Sequence, residues 1–260
     1  MKHRILKRAV AVIVLAALAQ VSAEAGPPPS MRFRAAKTGK VLVVATSATL
    51  ADIANYVGGT KVYVTPLTEG FPPKSVPRAE YRSVTSALKE AHVLLRLGKA
   101  YDPWIEGLAG AAGNARIAPG CSGNIDASVG IVGSATSACG HASYYWLDPE
   151  NGKKMASNIL AGLQAASPKD ADYFRRNYDE FVRKIDESMP KWQVKLAPYK
   201  GAQIISCCNV LSPFEERFGL TGVELLELVC VPGTPAPQIS KAVAEINSIS
   251  SARVLTAYPC

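Results

Sequence analysis

Histidine is scarce in this chain, with three in 260 residues, and aromatic side chains make up only 7% of it. There is no Gly-x-Ser-x-Gly elbow, no glycine-rich phosphate loop, no His-Glu-x-x-His pair and no Cys-x-x-Cys. Serine-hydrolase, nucleotide-using, zinc-protease and thioredoxin-like chemistries therefore lack their usual carriers, and the chain reads as a non-enzyme. No basic run occurs either. Lys and Arg are scattered with acids between them, which argues against nucleic-acid binding. The longest apolar run, Ala9 to Val21, is about 13 residues, short of the ~20 that a membrane-spanning helix needs.

That run follows Lys2, Arg4, Lys7 and Arg8 and leads into Ala23-Glu24-Ala25, the arrangement of a secretory signal peptide. Cleavage near Ala25 takes four of the 29 bases and one of the 21 acids, leaving 25 against 20, a net charge of +5. No Cys stands at the expected cleavage points to accept a lipid. The expectation is a soluble, monomeric, periplasmic protein. All six cysteines (Cys121, Cys139, Cys207, Cys208, Cys230 and Cys260) and only two histidines, His92 and His141, lie beyond residue 25. A content of 48% hydrophobic and 19% charged residues is that of an ordinary globular chain, large enough for one sizeable core or two modest lobes.

Strand-like and helix-like runs alternate. Lys40 to Ala45 reads as a strand. Leu50, Ile53, Ala54 and Val57 follow at helical spacing, with Thr46 or Ser47 as N-cap and Gly58-Gly59 as the stop. Lys61 to Leu67 and His92 to Leu97 read as strands around a helix over Ala79 to Ala91, and Asp102-Pro103 as N-cap and first residue of a helix carrying Trp104. His92, opening an apolar strand, is expected to be packed or capping. Asp148-Pro149 and Ser167-Pro168 each open a helix. The second carries Phe174, Tyr178, Phe181, Ile185 and Met189 for about 22 residues up to Pro190, with the pattern resuming toward Leu196. Tyr173, Phe174, Tyr178 and Phe181 are expected in the core. Thereafter come a strand (Ala202 to Ser206), a helix (Pro213 to Phe218), a strand (Val223 to Val229), a helix (Ile239 to Ile249) and a strand (Arg253 to Ala257). This order implies an α/β fold with parallel sheets. It divides into a signal peptide (1–25), an N-terminal lobe (26–147), connecting helices (148–198) and a C-terminal lobe (199–260).

The run Val43-Val44-Ala45-Thr46-Ser47-Ala48-Thr49-Leu50-Ala51-Asp52-Ile53-Ala54, then Val57-Gly58-Gly59, Gly98 with Trp104, and above all Tyr145-Trp146-Leu147-Asp148-Pro149-Glu150-Asn151 resemble the substrate-binding proteins of zinc- and manganese-type ABC importers. The resemblance implies two α/β lobes joined by a long rigid helix, a ligand cleft between them, and a membrane permease as partner. It also implies that most family metal ligands are replaced. Pro72-Pro73-Lys74 stands where the family has Asp-Pro-His. Tyr144 stands for a His, Cys208 for a His or Glu, and Tyr258 for an acid near the last strand. By the same resemblance the C-terminal lobe is short for the family.

Cys207 and Cys208, Cys230 and Cys260 each fall just past a predicted strand end of the second lobe, on the crest where open parallel sheets present ligand sites. Three thiolates suit a soft guest such as Cu(I), thiolate-held Zn(II), or a heavy metal or metalloid, rather than Mn(II). Lys74, Tyr144, His141 and Tyr258 would line the cleft, and Lys74 would favour an anion or oxyanion. Several alternatives stay open: structural disulfides such as Cys230–Cys260 and Cys121–Cys139, a thiol-redox role for Cys207-Cys208, or a degenerate relative without a metal.

Overall fold

The computed structural model describes residues 39–68, 81–98, 101–132, 143–206, 209–224, 240, 244 and 253–254. Four parallel strands, β1 (Val41–Ala45), β2 (Val62–Pro66), β3 (Val93–Arg96) and β4 (Asn124–Asp126), form a sheet in the order β2-β1-β3-β4. Helices α1 (Ala48–Gly58), α2 (Tyr81–Glu90), α3 (Trp104–Ala112), α4 (Pro149–Ala166) and α5 (Ala171–Leu196) surround it. A second parallel sheet, in the order β6-β5-β7, comprises β5 (Gln203–Ser206), β6 (Thr221–Glu224) and β7 (Arg253–Val254), with α6 (Ser212–Phe218) leading into β6. The α/β architecture expected from the alternating pattern is the one observed.

Val43, Val44 and Ala45 of β1 are fully buried, as a strand covered on both faces requires. Val43 and Ala45 face one core, shared with α1, α4 and Phe174 of α5, whereas Val44 faces the other, shared with α2 and α3. Gly162 lets α4 approach the sheet, since a Cβ there would meet Ile125 Cγ1 at 2.6 Å. Ser47, one of the two expected caps, accepts from Leu50 N at 3.3 Å and opens α1. Gly59 closes it at φ 50, in the left-handed region that glycine tolerates.

Helix α5 is 26 residues long, about 39 Å at 1.5 Å per residue. It follows a 3-10 turn at Pro168–Asp170 and passes through Pro190 to Leu196, so Pro190 does not end it. Its first turns belong firmly to the first sheet's unit. The Tyr173 hydroxyl accepts from Thr60 N at 3.3 Å, Asn177 Nδ2 donates to Val57 O at 3.0 Å, and Lys61 pairs with Asp170 at 3.1 Å. Phe174 is buried as expected, and Tyr173, Tyr178 and Phe181 pack partly against the same core.

Three details depart from the sequence reading. Strand β4 was not expected, because three residues with polar ends carry no periodic signal; it is fastened by Asn124, whose Nδ2 donates to Ile117 O at 2.7 Å and whose Oδ1 accepts from Arg96 Nε at 2.7 Å. Strand β6 begins at Thr221, not Val223, because the left-handed Gly219 reverses the chain directly into it. Asp102 does not cap α3. Pro103 occupies that position, and the Asp102 carboxylate turns back toward the ends of β1 and β3.

His92 caps, as expected. Its ring Nδ1 accepts from Leu42 N at 3.0 Å, while the His92 backbone N–H donates to Leu42 O at 2.8 Å. Burial, then Arg116, hold the imidazole below the ordinary value of 6.5. The neutral ring is thus the folded form, and its contribution is fully present above 6.5 and lost as pH falls through the lower folded value. Urea titrations at several pH values should show wild-type stability dropping over that window, with a shallower slope in His92→Ala. Equal slopes would exclude the ring as the cause.

Candidate functional site

The carboxyl ends of β1, β2 and β3 converge on a crest organised by one buried acid. Asp102 is fully buried, and its Oδ2 accepts from Thr46 Oγ1 at 2.5 Å and Leu97 N at 2.6 Å, while Oδ1 accepts from Gly98 N at 3.1 Å. Thr68 Oγ1 donates to Thr46 O at 2.8 Å, tying the end of β2 to the same turn. Gly98, at φ 106, sits against Ser128 and Asp126; a Cβ there would meet Ser128 Oγ at 2.7 Å. Burial pushes the Asp102 carboxyl above its ordinary range, opposed by the bonds from Thr46 and Leu97 and the nearby Arg96 charge.

An aromatic wall stands beside this crest. Tyr145 is buried and donates from its hydroxyl to Leu97 O at 2.9 Å; Tyr101 donates to Ser143 O at 2.5 Å. Tyr144 stacks on Trp146 with centroids 4.7 Å apart and planes 15° apart, and Tyr101 meets Tyr145 and Trp146 edge to face. Burial, then the neighbouring Tyr101, raise the Tyr145 phenol far above its ordinary value, so it stays a donor at any physiological pH.

The wall continues into the second sheet's unit. Tyr144 N donates to Val210 O at 2.8 Å, and Asp148, the N-cap of α4, receives Arg217 of α6 through Nε to Oδ1 and Nη2 to Oδ2, both at 2.7 Å. Within α6, Glu215 is buried, and burial followed by the Glu216 charge raises its carboxyl.

Of the residues expected in the site, the described structure places Tyr144, half-buried against Trp146. Lys74, His141, Cys207, Cys208, Cys230, Tyr258 and Cys260 lie outside the described residues. Among the described residues no three His, Cys, Asp or Glu side chains are grouped to hold a metal ion. Cys121 is exposed with a free thiol, and Cys139, its possible disulfide partner, lies outside the described residues. The described part of the first unit thus supplies an aromatic wall and a crest whose Thr46, Leu97 and Gly98 donors are held by Asp102. Sequence reading missed Asp102 and Arg217. The Asp-Pro pair made Asp102 look like a local cap, and nothing near Arg217 in sequence signals a partner 69 residues away.

Comparison with known proteins gives a consistent picture. The sequence profile of the family described as ZnuA, zinc-uptake complex component A, periplasmic, matches residues 43–254. The high-affinity zinc uptake system protein ZnuA of Brucella abortus (strain 2308) is 26% identical over 113 residues, covering 44% of this chain and 34% of that protein. The matched part is therefore about a third of that relative's length. The Zn(II)-bound ZnuA-like domain of Streptococcus pneumoniae AdcA superposes with a TM-score of 0.68 at 16% identity, covering 84% of this chain and 79% of that one. The metal-dependent lipoprotein YcdH from Bacillus subtilis gives 0.65 at 18% identity, with the same two coverages of 84% and 79%. At these identities the structural likeness concerns the fold.

Proposed function

Because the chain belongs to the ZnuA family of periplasmic zinc-uptake components, whose profile spans residues 43–254, we propose that it captures a metal ion, or a small metal-containing solute, between two α/β lobes and delivers it to the permease of an ABC importer. The family match is the observation that carries this reading. Such capture involves no bond-making step. Selectivity and release rest on the donor set and on how the lobes meet.

The finer reading is that the donors are thiolates of Cys208, Cys230 and Cys260, with Cys207 beside them. Two considerations support it. Only His92 and His141 lie beyond the leader-like segment, and His92 is engaged with the backbone of β1, so imidazoles cannot supply a three-histidine site. The aromatic wall places Tyr144 in a stack with Trp146 and offers the metal no imidazole there. Thiolate donors favour Cu(I), Zn(II) or a heavier thiophilic species over Mn(II), and uptake would release protons as the thiols ionise.

Native mass spectrometry of the full-length protein isolated from the periplasm, with free-thiol counting on the same sample, tests both levels. One thiophilic metal per chain, lost in Cys208→Ser, is the expected result. A metal retained by Cys208→Ser removes the thiolate reading and leaves metal capture standing. A protein isolated without metal that takes up none of Zn(II), Mn(II) and Cu(I) on titration, with all thiols oxidised, removes both.

A further inference from the structure

Segment 144–148 is part of the first unit. Tyr145 is buried with its hydroxyl on Leu97 O, Asn151 Nδ2 donates to Tyr145 O at 2.9 Å, and Asp148 Oδ1 accepts from Glu150 N at 2.9 Å as the cap of α4. Segment 210–217, by contrast, runs with the second sheet, since α6 leads through the left-handed Gly219 into β6, and Leu220 N donates to Glu215 O at 2.8 Å. Two attachments cross between these segments: the Tyr144 N to Val210 O bond and the two-pronged Arg217–Asp148 pair.

We propose that Arg217 and Asp148 form a latch that fixes the orientation of the second unit against the first, with the Tyr144–Val210 bond as its second pin. A planar guanidinium held by both oxygens of one carboxylate resists rotation as well as separation, unlike a single ammonium contact. The Asp148 side chain is 11% exposed and that of Arg217 35%, so the pair is partly withdrawn from solvent and less screened than a surface pair. The same carboxylate caps α4, so displacement of α6 is transmitted to the start of a helix packed beneath β4 at Gly162. Movement between the units therefore turns about this joint or breaks it, which limits closure to a small rotation. The latch does not depend on which solute is bound.

Amide hydrogen exchange on the full chain without added metal tests it through Arg217→Met, Arg217→Lys and Asp148→Asn. Arg217→Met keeps most of the aliphatic stem and removes the fork. The expected result is exchange at Tyr144 N faster by about tenfold or more, with faster exchange in α6 and unchanged amides in β1 and β3. Arg217→Lys should fall between, because one point charge replaces two directed bonds. A purely local role of Arg217 in α6 would leave the Tyr144 amide untouched. Should Arg217→Met also release the β5 amides of Ile204 and Ile205, Asp148→Asn decides, since Asn keeps an acceptor for Glu150 N while weakening the pair. Wild-type protection of Tyr144 in both Arg217→Met and Asp148→Asn would overturn the latch.

Discussion

Asp102→Ala is expected to lower folding stability by about 4 kcal/mol, read as a drop of roughly 1.5 M in the urea midpoint. The carboxylate is fully buried and is the acceptor for Thr46 Oγ1, Leu97 N and Gly98 N. Alanine leaves two backbone N–H groups with no acceptor at that place, each costing about 1–3 kcal/mol when buried. The hydroxyl of Thr46 can turn elsewhere, so it adds less. Asp102→Asn should lose roughly half as much, because its one carbonyl oxygen still accepts while its amide NH2 meets a donor. Both variants also differ from the wild type in pH dependence. Burial raises the Asp102 carboxyl above 3.8, so ionisation is disfavoured in the fold. The associated stability is present below 3.8 and lost as pH rises through the folded value. Asp102→Asn should lack that slope. A midpoint shift under ~0.5 M for Asp102→Ala would show that these bonds do not hold the crest together.

Gly123→Ala should cost about 3 kcal/mol although it adds a single methyl group. Gly123 is buried, and a Cβ there would lie 2.5 Å from Arg116 O and 2.6 Å from His92 O. Both neighbours are backbone, so neither can swing aside as a side-chain end would. Gly123 O also accepts from Leu94 N at 2.7 Å at the start of the β3 and β4 pairing, so relief requires moving the strand. The matched control is Gly110→Ala in α3, where a Cβ meets nothing within 4 Å. There the change should be neutral or stabilising by up to about 1 kcal/mol. Thermal or urea unfolding of the two variants side by side checks the contrast. Equal stabilities would mean that the β3–β4 contact yields more easily than its geometry implies.

Much of this protein was legible in its residues because local rules governed them. Ser47 before an apolar 3.6-residue repeat, Asp148-Pro149 ahead of α4 and the left-handed Gly219 after α6 each fixed an element end through groups a few positions apart. The compact apolar run of β1 and the spacing of Phe174, Tyr178 and Phe181 announced burial; β1 and Phe174 are buried, while Tyr178 and Phe181 pack only partly against the same core. The specific Trp146-Leu147-Asp148-Pro149 run pointed to the family before any fold was in view.

Long-range pairing was not legible. Asp102 looked like a helix cap, yet its partners are the ends of two strands, one of them 56 residues away at Thr46. Asp148 was visible only as a cap, because the arginine that grips it lies 69 positions on. Strand β4 has three residues and exists only because β3 offers it a ladder and Asn124 secures it. By itself, then, the sequence determined fold class, family and most of the element order, β4 excepted, since these follow from short-range periodicity and capping. The tertiary structure alone decided which buried acid organises the crest and which ion pair joins the two units, because a carboxylate's partner is chosen by the folded path of the chain and not by its neighbours along it.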